Sequence, residues 1–363
     1  MNTKKIAVDL PIGINADNGS VSACAIAVDY TVALSFVKPG LVSYPAKAFV
    51  GELVYSDLAL PQDLIKKKID MKYTLTDEEW ARKTLPSREN NSNKGNFGKA
   101  LLITGSKKYK GAASLSVSAA LRGGCGYVLY YGPEGLSSML LELYPEVVFH
   151  THKDEEKRDV ALICELSAKS KVTLIGSGSD CNDSTKDAVL GLLGTVGGTL
   201  ILDADAINVL SEMGKDGLRA LREAKREVII TPHPLEFSRL TGTDVSEIQL
   251  HRIETARKFA AESRCTVVLK GASTVVTNGS EVYINGSGSS ALAKAGSGDV
   301  LSGFLASLSA SVELSPVKSA ALAAYIHGKA GDNLALEYST YGVTPSDLPL
   351  EIARCISKIS KNG

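Results

Sequence analysis

The segment from Ala293 to Gly303 reads AKAGSGDVLSG and places an acid directly after two glycines. Apolar residues follow at helical spacing, so the glycines fall where a helix begins. The backbone N–H groups of Gly296, Ser297 and Gly298, with the positive end of the helix dipole, would form an anion hole for a phosphate. Asp299 would then be the base that takes a proton from a substrate hydroxyl. The alternative is that Asp299 only caps the helix, which is common for Asp.

A second candidate group lies in TPHPLEF, residues Thr231 to Phe237, which follows the apolar run EVII. Glu236 could orient a water bound to Mg²⁺ near nucleotide phosphates, because Mg²⁺ prefers oxygen ligands and keeps several of its waters. His233 lies beside it at the end of the predicted strand. The alternative is that Thr231 and Pro232 form a turn and that Glu236 caps the next helix.

The segment VVLKGAST, Val267 to Thr274, brings a lysine and small residues to the end of a predicted strand. The ammonium of Lys270, with Gly271 and Ala272 beside it, could approach the phosphates of a nucleotide, and Thr274 could add a hydroxyl contact. The alternative for Lys270 is a solvated position at the strand end, which is the commoner environment of a lysine.

Three further loops combine glycine or acidic residues with a predicted strand end. GSKKYKGAASLS places Ala112 at the start of a helix, and IGSGSD, Ile175 to Asp180, adds two glycines. Each of these two is a weak phosphate-binding signal, since most such loops are only tight turns between a strand and a helix. In LDADAIN, Asp203 and Asp205 could contact a metal or a substrate, or could only cap the following helix.

Short apolar runs alternate with helical patterns through most of the chain, which predicts an α/β fold with a mostly parallel sheet covered on both faces. In open sheets of this kind ligands bind at the carboxyl ends of the strands, where the candidate segments are placed. The pattern SEIQLHRIETARKFAAES predicts one long helix. The predicted strands are ALLITGS, YVLYYGP, KVTLIGSG, TLILDAD, EVIITPHP and TVVLKG.

Residues 1–61 differ from this pattern. They contain three strand-like runs, KKIAVDLP, DYTVALSFV and GELVYSDLAL, with turn signals at Asn18-Gly19 and Pro39-Gly40. Three strands without a substantial helix cannot cover both faces of an α/β sheet, so we interpret this segment as a partial α/β domain. The polar stretch QDLIKKKIDMK indicates a linker over 62–74, and residues 75–363 would form the main domain.

The composition limits the class of protein. A hydrophobic fraction of 44% with 22% charged residues is close to the globular average. Forty basic and forty acidic residues give a net charge of zero, which argues against charge-driven binding of nucleic acid. No apolar run approaches the roughly 20 residues that span a bilayer, and no secretory signal is recognisable, so we expect a cytoplasmic protein without a membrane partner.

The cysteines and histidines show no metal-binding pattern. The six cysteines form no CxxC pair and the five histidines have no ligand spacing, which favours reduced thiols and argues against zinc. We interpret Cys125, Cys265 and His327 as core residues, because their surroundings are apolar and regularly patterned.

Several of these segments occur in an order that resembles a known family. The segments are KGNFGKALLITGSKKYKGAASLSVSAALRGGCGYV, LDADAIN, TPHPLEFSRLTG, VVLKGAST and AKAGSGDVLSG. Together they are similar to the NAD(P)H-hydrate dehydratase domain of the ribokinase-like superfamily, over about residues 75 to 360. The resemblance implies a three-layer αβα sandwich and an enzyme that uses ADP or ATP to remove water from the (6S)-hydrates of NADH and NADPH. A phosphoryl group passes to the ring hydroxyl and then leaves as the double bond re-forms.

The resemblance also implies roles for individual residues. Asp299 matches the catalytic, hydrate-contacting Asp, and His233, Gly178 and Ala112 match other contacts to the hydrate. TPHPLEF resembles the superfamily's Asn-x-x-Glu magnesium motif, with His in the place of Asn, which would assign Glu236 to Mg²⁺ through water. The residues that match nucleotide contacts are Lys270, Gly271, Ala272, Ser273, Thr274 and Gly298.

Residues 1–61 resemble the C-terminal tail of the epimerase domain that interconverts the R and S hydrates and is often fused ahead of this dehydratase in microbes. Most of that domain's sheet and its substrate loop are absent, and Ile12 replaces a serine expected to contact K⁺. Asp9 alone cannot sustain epimerisation, so we expect that activity to be missing. The fused arrangement favours ADP as the phosphoryl donor. The family implies a homo-oligomer, and an unfinished sheet edge gives a physical reason for a partner surface.

Two other functions fit the same motifs. A ribokinase-like kinase of a small alcohol or vitamin precursor would share Asp299 and the anion hole, but would release a stable phosphorylated product. A non-catalytic nucleotide-binding protein would keep its measurable properties after the change Asp299→Asn. The dehydratase interpretation predicts a nearly complete loss of turnover in that variant, with nucleotide binding largely kept.

Overall fold

The computed structural model describes residues 3–61, 65, 73–153 and 157–361. Within these ranges the strands form two sheets, a small one of three strands near the amino terminus and a large one of ten strands. Most of the predicted linker, 62–74, lies outside the described residues. Its last residue, Thr74, begins the first strand of the large sheet.

The three strand-like runs predicted in residues 1–61 form the small sheet, which is parallel. Ala33, Leu41 and Val50 belong to a small core of its own. The predicted Pro39-Gly40 turn is wrong, because Pro39 is the first residue of a short helix, where its fixed φ and missing N–H are tolerated. The elements are β1 (Ile6–Val8), β2 (Tyr30–Leu34), α1 (Pro39–Val42), α2 (Lys47–Val50) and β3 (Glu52–Ser56).

The strands of the large sheet are β4 (Thr74–Thr76), β5 (Lys99–Ile103), β6 (Tyr127–Pro133), β7 (Val148–His152), β8 (Val172–Ile175), β9 (Thr199–Leu202), β10 (Val228–Ile230), β11 (Thr266–Leu269), β12 (Val275–Thr277) and β13 (Val282–Asn285). Their spatial order is β4-β13-β12-β11-β10-β9-β8-β5-β6-β7, and β12 alone among them runs antiparallel to its neighbours. The sheet is thus mostly parallel, as predicted.

Helices cover both faces of this sheet. They are α3 (Glu78–Thr84), α4 (Lys110–Arg122), α5 (Glu134–Leu143), α6 (Val160–Ala168), α7 (Asp183–Gly194), α8 (Asp205–Glu212), α9 (Lys215–Arg222), α10 (Pro234–Thr241), α11 (Val245–Leu250), α12 (Arg252–Ser263), α13 (Ser297–Ser311), α14 (Pro316–Gly342) and α15 (Leu348–Lys361). Within the described ranges, no helix combines the length and the apolar composition needed to cross a bilayer.

Neighbouring residues of one strand point to opposite faces of the sheet. Leu102 of β5 lies in the core formed with α4, α5, α13, α14 and α15. Leu101, next to it, lies in the core formed with the helices α6 to α12. Two cores separated by one sheet define a three-layer αβα sandwich, which confirms the fold implied by the sequence.

Some elements differ from the sequence prediction. The long helix predicted from SEIQLHRIETARKFAAES is two helices, α11 and α12, because His251 leaves the helical region with φ −126° and ψ 42°. The strands β4 and β12 have three residues each, too few to show an alternating pattern. The edge strand β7 has no fully buried residue, so it also lacks a clear apolar signal.

The N-terminal segment packs against the loop that follows β11. Val42, the last residue of α1, is buried in the same core as residues of β10 and β11. Ser273, in that loop, donates a hydrogen bond from its Oγ to the carbonyl oxygen of Val42. The small sheet and its helices are therefore attached next to the loop that carries Lys270.

Candidate active site

Three side chains meet where β9, β10 and β11 end. Asp203, Thr231 and Lys270 directly follow these strands, so the parallel strands deliver them to the same edge of the sheet. The Oδ1 atom of Asp203 accepts hydrogen bonds from Thr231 Oγ1 at 2.6 Å and from Lys270 Nζ at 3.1 Å. Its Oδ2 atom accepts one from Ser177 Oγ at 2.8 Å. The carboxylate of Asp203 is therefore held by three donors.

The ion pair of Lys270 and Asp203 is buried, with side chains that are 19% and 2% exposed. Burial alone would raise the pKa of Asp203, but the Lys270 ammonium and the hydroxyl donors hold this pKa below its ordinary value. Burial alone would lower the pKa of Lys270, but Asp203 and Glu236 keep it above the usual value. Both groups are charged at neutral pH. The alternative of a solvated Lys270 is therefore wrong.

Helix α13 begins beside this ion pair. Its N-cap is Gly296, whose φ of +99° lies in the left-handed region that favours glycine. Asp299 is the third residue of the helix, and no side chain of the described residues caps it, so the capping alternative for Asp299 is wrong. A Cβ added to Gly298 would lie 3.5 Å from Lys270 Nζ, which places the ammonium against the first turn of the helix.

The carboxyl group of Asp299 has an altered proton affinity. Burial raises its pKa to about 7, and the charge of Asp203 adds to the effect, while the Lys270 ammonium opposes it. A carboxyl group with a pKa near neutral pH is partly ionised there and is a stronger base than an ordinary carboxylate. The environment of Asp299 is thus suited to taking a proton from a hydroxyl.

One cavity of about 580 Å³ contains most of the predicted site. Asp299, Lys270 and Asp203 line it together, so the three charged groups share one space. The predicted residues that line it are His233, Lys270, Gly271, Ala272, Ser273, Thr274, Gly296, Ser297, Gly298 and Asp299. The other three predicted residues, Ala112, Gly178 and Glu236, lie outside this lining.

Glu236 is tied to His233 in a capping box at the start of α10. The Nδ1 atom of His233 accepts a hydrogen bond from the N–H of Glu236 at 3.1 Å, and Glu236 Oε2 accepts one from the N–H of His233 at 2.8 Å. The structure thus shows the capping role that the sequence left open for Glu236, which also lies 4.0 Å from Lys270 Nζ. Burial lowers the pKa of His233, so a neutral imidazole lines the cavity.

The acidic residues near the cavity form no metal centre of their own. Among the described residues there is no group of three His, Cys, Asp or Glu side chains that could hold a metal ion. Asp203 and Glu236 are engaged as described, and Asp205 Oδ2 accepts a hydrogen bond from the N–H of Asp180 at 2.9 Å. Most oxygen ligands of a Mg²⁺ ion here would have to be nucleotide phosphates and water.

Ala112 and Gly178 lie against each other outside the lining of this cavity. A Cβ added to Gly178 would meet the Cβ of Ala112 at 2.7 Å, so only glycine allows this approach. Gly178 connects two sites along the chain: the preceding Ser177 donates to Asp203, and the following Ser179 lines a second cavity of about 630 Å³. That cavity is also lined by several charged or ionisable side chains: Lys107, Lys108, His152, Arg158 and Asp180.

Three residues of the first cavity carry no functional signal in the sequence. His327, interpreted there as core, is buried, but it also lines the cavity, and its Nε2 lies 3.4 Å from Ser297 Oγ. Burial lowers the pKa of His327 to about 4. Tyr44 and Lys47 come from the N-terminal segment, far away in sequence, and only the packing of that segment brings them to the cavity.

The three-layer αβα architecture is a ribokinase-like fold. A ribokinase-like superfamily protein of Enterococcus faecalis has the same fold, with a TM-score of 0.70 at 23% identity, covering 80% of this chain and 98% of that chain. The sequence pattern of NAD(P)H-hydrate dehydratase matches residues 100–354. This chain belongs to the NAD(P)H-hydrate dehydratase family, which confirms the resemblance seen in the sequence.

Curated relatives and a solved structure agree with this membership. The bifunctional NAD(P)H-hydrate repair enzyme Nnr of Moorella thermoacetica is 37% identical over 94% of this chain and 65% of its own length. The enzyme of the same name from Thermofilum pendens is 34% identical over 93% of this chain and 64% of its own length. The chain thus spans slightly less than two thirds of either relative. The pattern of the YjeF-related protein N-terminus matches residues 1–40.

The solved structure is the ADP/ATP-dependent NAD(P)H-hydrate dehydratase of Bacillus subtilis, co-crystallised with ATP and Mg²⁺. It superimposes on this chain with a TM-score of 0.70 at 32% identity, covering 80% of this chain and 99% of that chain.

Proposed function

We propose that this chain catalyses the ADP- or ATP-dependent dehydration of the (6S)-hydrates of NADH and NADPH. The observation that carries the proposal is the position of Asp299, whose carboxyl group shares one cavity with the Lys270 ammonium at the amino terminus of α13. A hydroxyl is a poor leaving group, and phosphorylation converts it into a good one. Such a site needs a base for the hydroxyl proton and positive charge around the transferred phosphoryl group.

The chemistry would proceed in two steps. The carboxylate of Asp299 takes the proton of the ring hydroxyl while the hydroxyl oxygen forms a bond to the terminal phosphorus, and the bond from that phosphorus to the rest of the nucleotide breaks. Lys270 and the N–H groups of Gly296, Ser297 and Gly298 stabilise the charge of the phosphoryl group in transit. The carbon–oxygen bond then breaks with its electron pair leaving on phosphate. The departing phosphate takes a proton from the adjacent ring carbon, and the electron pair of that carbon–hydrogen bond re-forms the double bond.

The proposed nucleotide contacts lie on a loop that is held in place. Arg252 Nη2 donates hydrogen bonds to the carbonyl oxygens of Leu269 at 2.9 Å and of Lys270 at 3.1 Å. Thr274 Oγ1 donates to the carbonyl oxygen of Gly271 at 2.9 Å. A loop fixed in this way presents small residues to a ligand at little entropic cost on binding. This supports a nucleotide contact along residues 270–274.

We propose that Mg²⁺ enters with the nucleotide, whose phosphates and waters would supply most of its ligands. Glu236 would contact it through water and not directly, because its carboxylate is held by His233. Mg²⁺ would supply positive charge to the phosphates. A dependence on K⁺ is a separate prediction, which is tested by comparing turnover in buffers that contain K⁺ or Na⁺.

We propose that the hydrate extends past Ala112 and Gly178 toward the second cavity. A nicotinamide dinucleotide carries a diphosphate, and Lys107, Lys108 and Arg158 give that cavity an excess of positive charge over Asp180. Arg158 is held there by hydrogen bonds from its guanidinium to Ser179 O and Thr185 Oγ1, both at 2.9 Å. The two cavities would thus bind the two ends of one substrate.

We propose that residues 1–61 alone do not interconvert the R and S hydrates. The carboxylate of Asp9 accepts hydrogen bonds from Lys38 Nζ and from the N–H of Leu34, so it is engaged within its own segment, and the Lys38 hydrogen bond lowers its pKa. A lowered pKa makes it a weaker base. Ile12 is 78% exposed and offers no ligand to K⁺. Equilibration of purified R and S hydrates by this chain, faster than the uncatalysed rate, would contradict the proposal.

We also propose that the chain forms a homo-oligomer in the cytoplasm. The first strand of the small sheet leaves Ile6 and Val8 62% and 69% exposed, and apolar residues on an edge strand favour contact with another chain. Light scattering of the purified protein at several concentrations tests the oligomer, and cell fractionation tests the location.

Product analysis separates dehydration from the competing functions. The protein is incubated with purified (6S)-NADPH hydrate and ADP or ATP, and the mixture is followed by absorbance and by mass spectrometry. Dehydration restores the absorbance band of the reduced nicotinamide and releases phosphate. A kinase of a small alcohol would leave the hydrate unchanged, and a non-catalytic protein would consume no nucleotide.

A further inference from the structure

Two residues of the N-terminal segment line the same cavity as the predicted nucleotide loop. Tyr44, between α1 and α2, and Lys47, the first residue of α2, face the space that is also lined by residues 270–274 and by Asp299. The family pattern that matches the N-terminal segment ends at residue 40. These two side chains therefore belong to the dehydratase cavity without a role assigned to them.

Their position is fixed by the packing of α1 against the large domain. Val42 is buried in the core that contains β10 and β11, and its carbonyl oxygen accepts the hydrogen bond from Ser273 Oγ. Ala46, next to Lys47, is fully buried in the core of the small sheet. The packing of Val42 and Ala46 thus fixes the backbone on either side of Tyr44 and next to Lys47, so these two residues line the cavity before a ligand binds.

The charges in the cavity show that Lys47 and Asp299 lie in different surroundings. The pKa of Asp299 responds to burial, Asp203, Lys270 and Asp205. Burial lowers the pKa of Lys47, and the carboxylate of Asp332 opposes that effect. Asp332 Oδ2 also accepts a hydrogen bond from the N–H of Gly288 at 2.9 Å. The charge that acts on Lys47 thus comes from a residue that is hydrogen-bonded to Gly288, which lines the same cavity.

The cavity wall at Gly288 contains several small residues. It includes Gly288, Leu292, Ala324 and Gly328, beside the serines of 287–290. A nucleotide whose terminal phosphate lies at the start of α13 must place its base and ribose away from Asp299. Small apolar walls with a few hydroxyl and amide groups fit a base and a ribose better than a phosphate.

We propose that Tyr44 and Lys47 complete the site of the phosphoryl donor, a purine nucleoside diphosphate or triphosphate. The ring of Tyr44, which is 47% exposed, packs against the base, because a flat aromatic ring in a cavity gains contact area from a stacked heterocycle. The Lys47 ammonium donates hydrogen bonds to acceptor atoms of the base or ribose. The inference rests on the proposed nucleotide-dependent function, and it gives the N-terminal segment a role in dehydration.

Calorimetric titration of the full chain with two probes tests this role. ADP carries base, ribose and phosphates, whereas inorganic tripolyphosphate carries phosphates only. The variants are Tyr44→Ala, Tyr44→Phe and Lys47→Met, and the matched controls are Tyr55→Ala and Lys5→Met, at exposed positions of the same segment. We expect Tyr44→Ala and Lys47→Met to weaken ADP binding by about 5- to 30-fold and to leave tripolyphosphate binding unchanged. Tyr44→Phe and the controls should bind both probes as the wild type does.

Kinetics provide a second readout that loss of folding would not imitate. In Tyr44→Ala and Lys47→Met we expect a higher KM for the nucleotide, with the KM for the hydrate and the thermal midpoint unchanged. Equal ADP affinity in the wild type and both variants would overturn the inference and leave the proposed function standing. An equal loss of ADP and tripolyphosphate binding in Lys47→Met would show that Lys47 contacts the phosphates, and it would overturn the proposed contact with the base or ribose. A wild type that binds neither probe would refute the proposed function itself.

Discussion

The ammonium nitrogen of Lys270 lies 3.1 Å from the Oδ1 atom of Asp203 and against the first turn of α13. Asp203 follows β9 and Lys270 follows β11, at the same edge of the sheet. Their buried contact fixes the position of the Lys270 ammonium. Because Asp203 is also held by Thr231 and Ser177, Lys270 has few other positions available. The ion pair thus positions the ammonium beside Gly298, where a transferred phosphoryl group would need it.

The first prediction concerns the stability of this pair. Lys270→Met leaves a buried carboxylate without its cation, so we expect the free energy of unfolding to fall by about 3–5 kcal/mol in urea denaturation. The double variant Asp203→Asn/Lys270→Met removes both charges and should lose less than the sum of the two single variants. Losses that simply add would show that the two side chains are not coupled.

The second prediction concerns the pH dependence of the reaction. Asp299 must be ionised to accept the hydroxyl proton, and burial raises its pKa to about 7. We therefore expect kcat/KM for the hydrate to rise with pH, with a midpoint near 7, and to level off at higher pH. The measurement is a steady-state profile at constant ionic strength. A midpoint close to the ordinary value of a carboxyl group, about 4, would contradict the assignment.

The raised pKa of Asp299 also makes the stability of the protein depend on pH. A carboxyl group whose pKa is higher in the folded state than in the unfolded state favours folding while it is protonated. Its contribution is fully present below the unfolded pKa and is lost as the pH rises through the folded value. Wild type should therefore lose stability relative to Asp299→Asn between pH of about 4 and 7. Chemical denaturation of both proteins across this range checks the sign, and an opposite trend would contradict the burial of Asp299.

The third prediction concerns the backbone at the start of α13. Gly296→Ala forces a side chain into a φ of +99° and would place its Cβ 2.6 Å from Leu115 Cδ1. We expect a loss of about 1–2 kcal/mol in the free energy of unfolding and a lower kcat, because the N–H groups of the anion hole shift. Gly135→Ala is the matched control, since an added Cβ there meets no atom within 4 Å. Equal behaviour of the two variants would contradict a strained N-cap.

The fourth prediction concerns the second cavity. The double variant Lys107→Ser/Lys108→Ser removes positive charge from the proposed diphosphate site. We expect the KM for the hydrate to rise by about tenfold and to depend less on salt, with the KM for ADP unchanged. Lys258→Ser, at an exposed position of α12, is the control. An unchanged KM for the hydrate in the double variant would place the dinucleotide elsewhere.

The sequence was sufficient to predict six of the ten strands of the large sheet, namely β5, β6 and β8 to β11, and to single out two side chains that line one cavity in the structure. Glycines before an acid at a helix start, and a lysine after an apolar run, give local signals, and the parallel strands bring Lys270 and Asp299 into one cavity as expected. The site that surrounds them depends on distant packing. Nothing local in the sequence shows that Asp203 is buried beneath Lys270 or that Lys47 of the N-terminal segment lines the cavity.

Glu236 shows why a motif alone could not settle a role. The same Glu can cap a helix and lie near phosphates, and only the hydrogen bonds with His233 show that the cap is present. His327 shows the opposite case, since an apolar surrounding predicts a core residue correctly but does not reveal that its ring also borders the cavity.

The most direct test of the central claim is turnover of (6S)-NADPH hydrate by the wild type and by Asp299→Asn, with purified ADP and ATP in parallel, together with calorimetric titration of each nucleotide. Without a base for the hydroxyl proton, turnover should fall by about 10²–10⁴-fold or more while nucleotide affinity stays largely unchanged. We expect ADP to serve as the donor. Turnover in Asp299→Asn equal to that of the wild type would contradict the account.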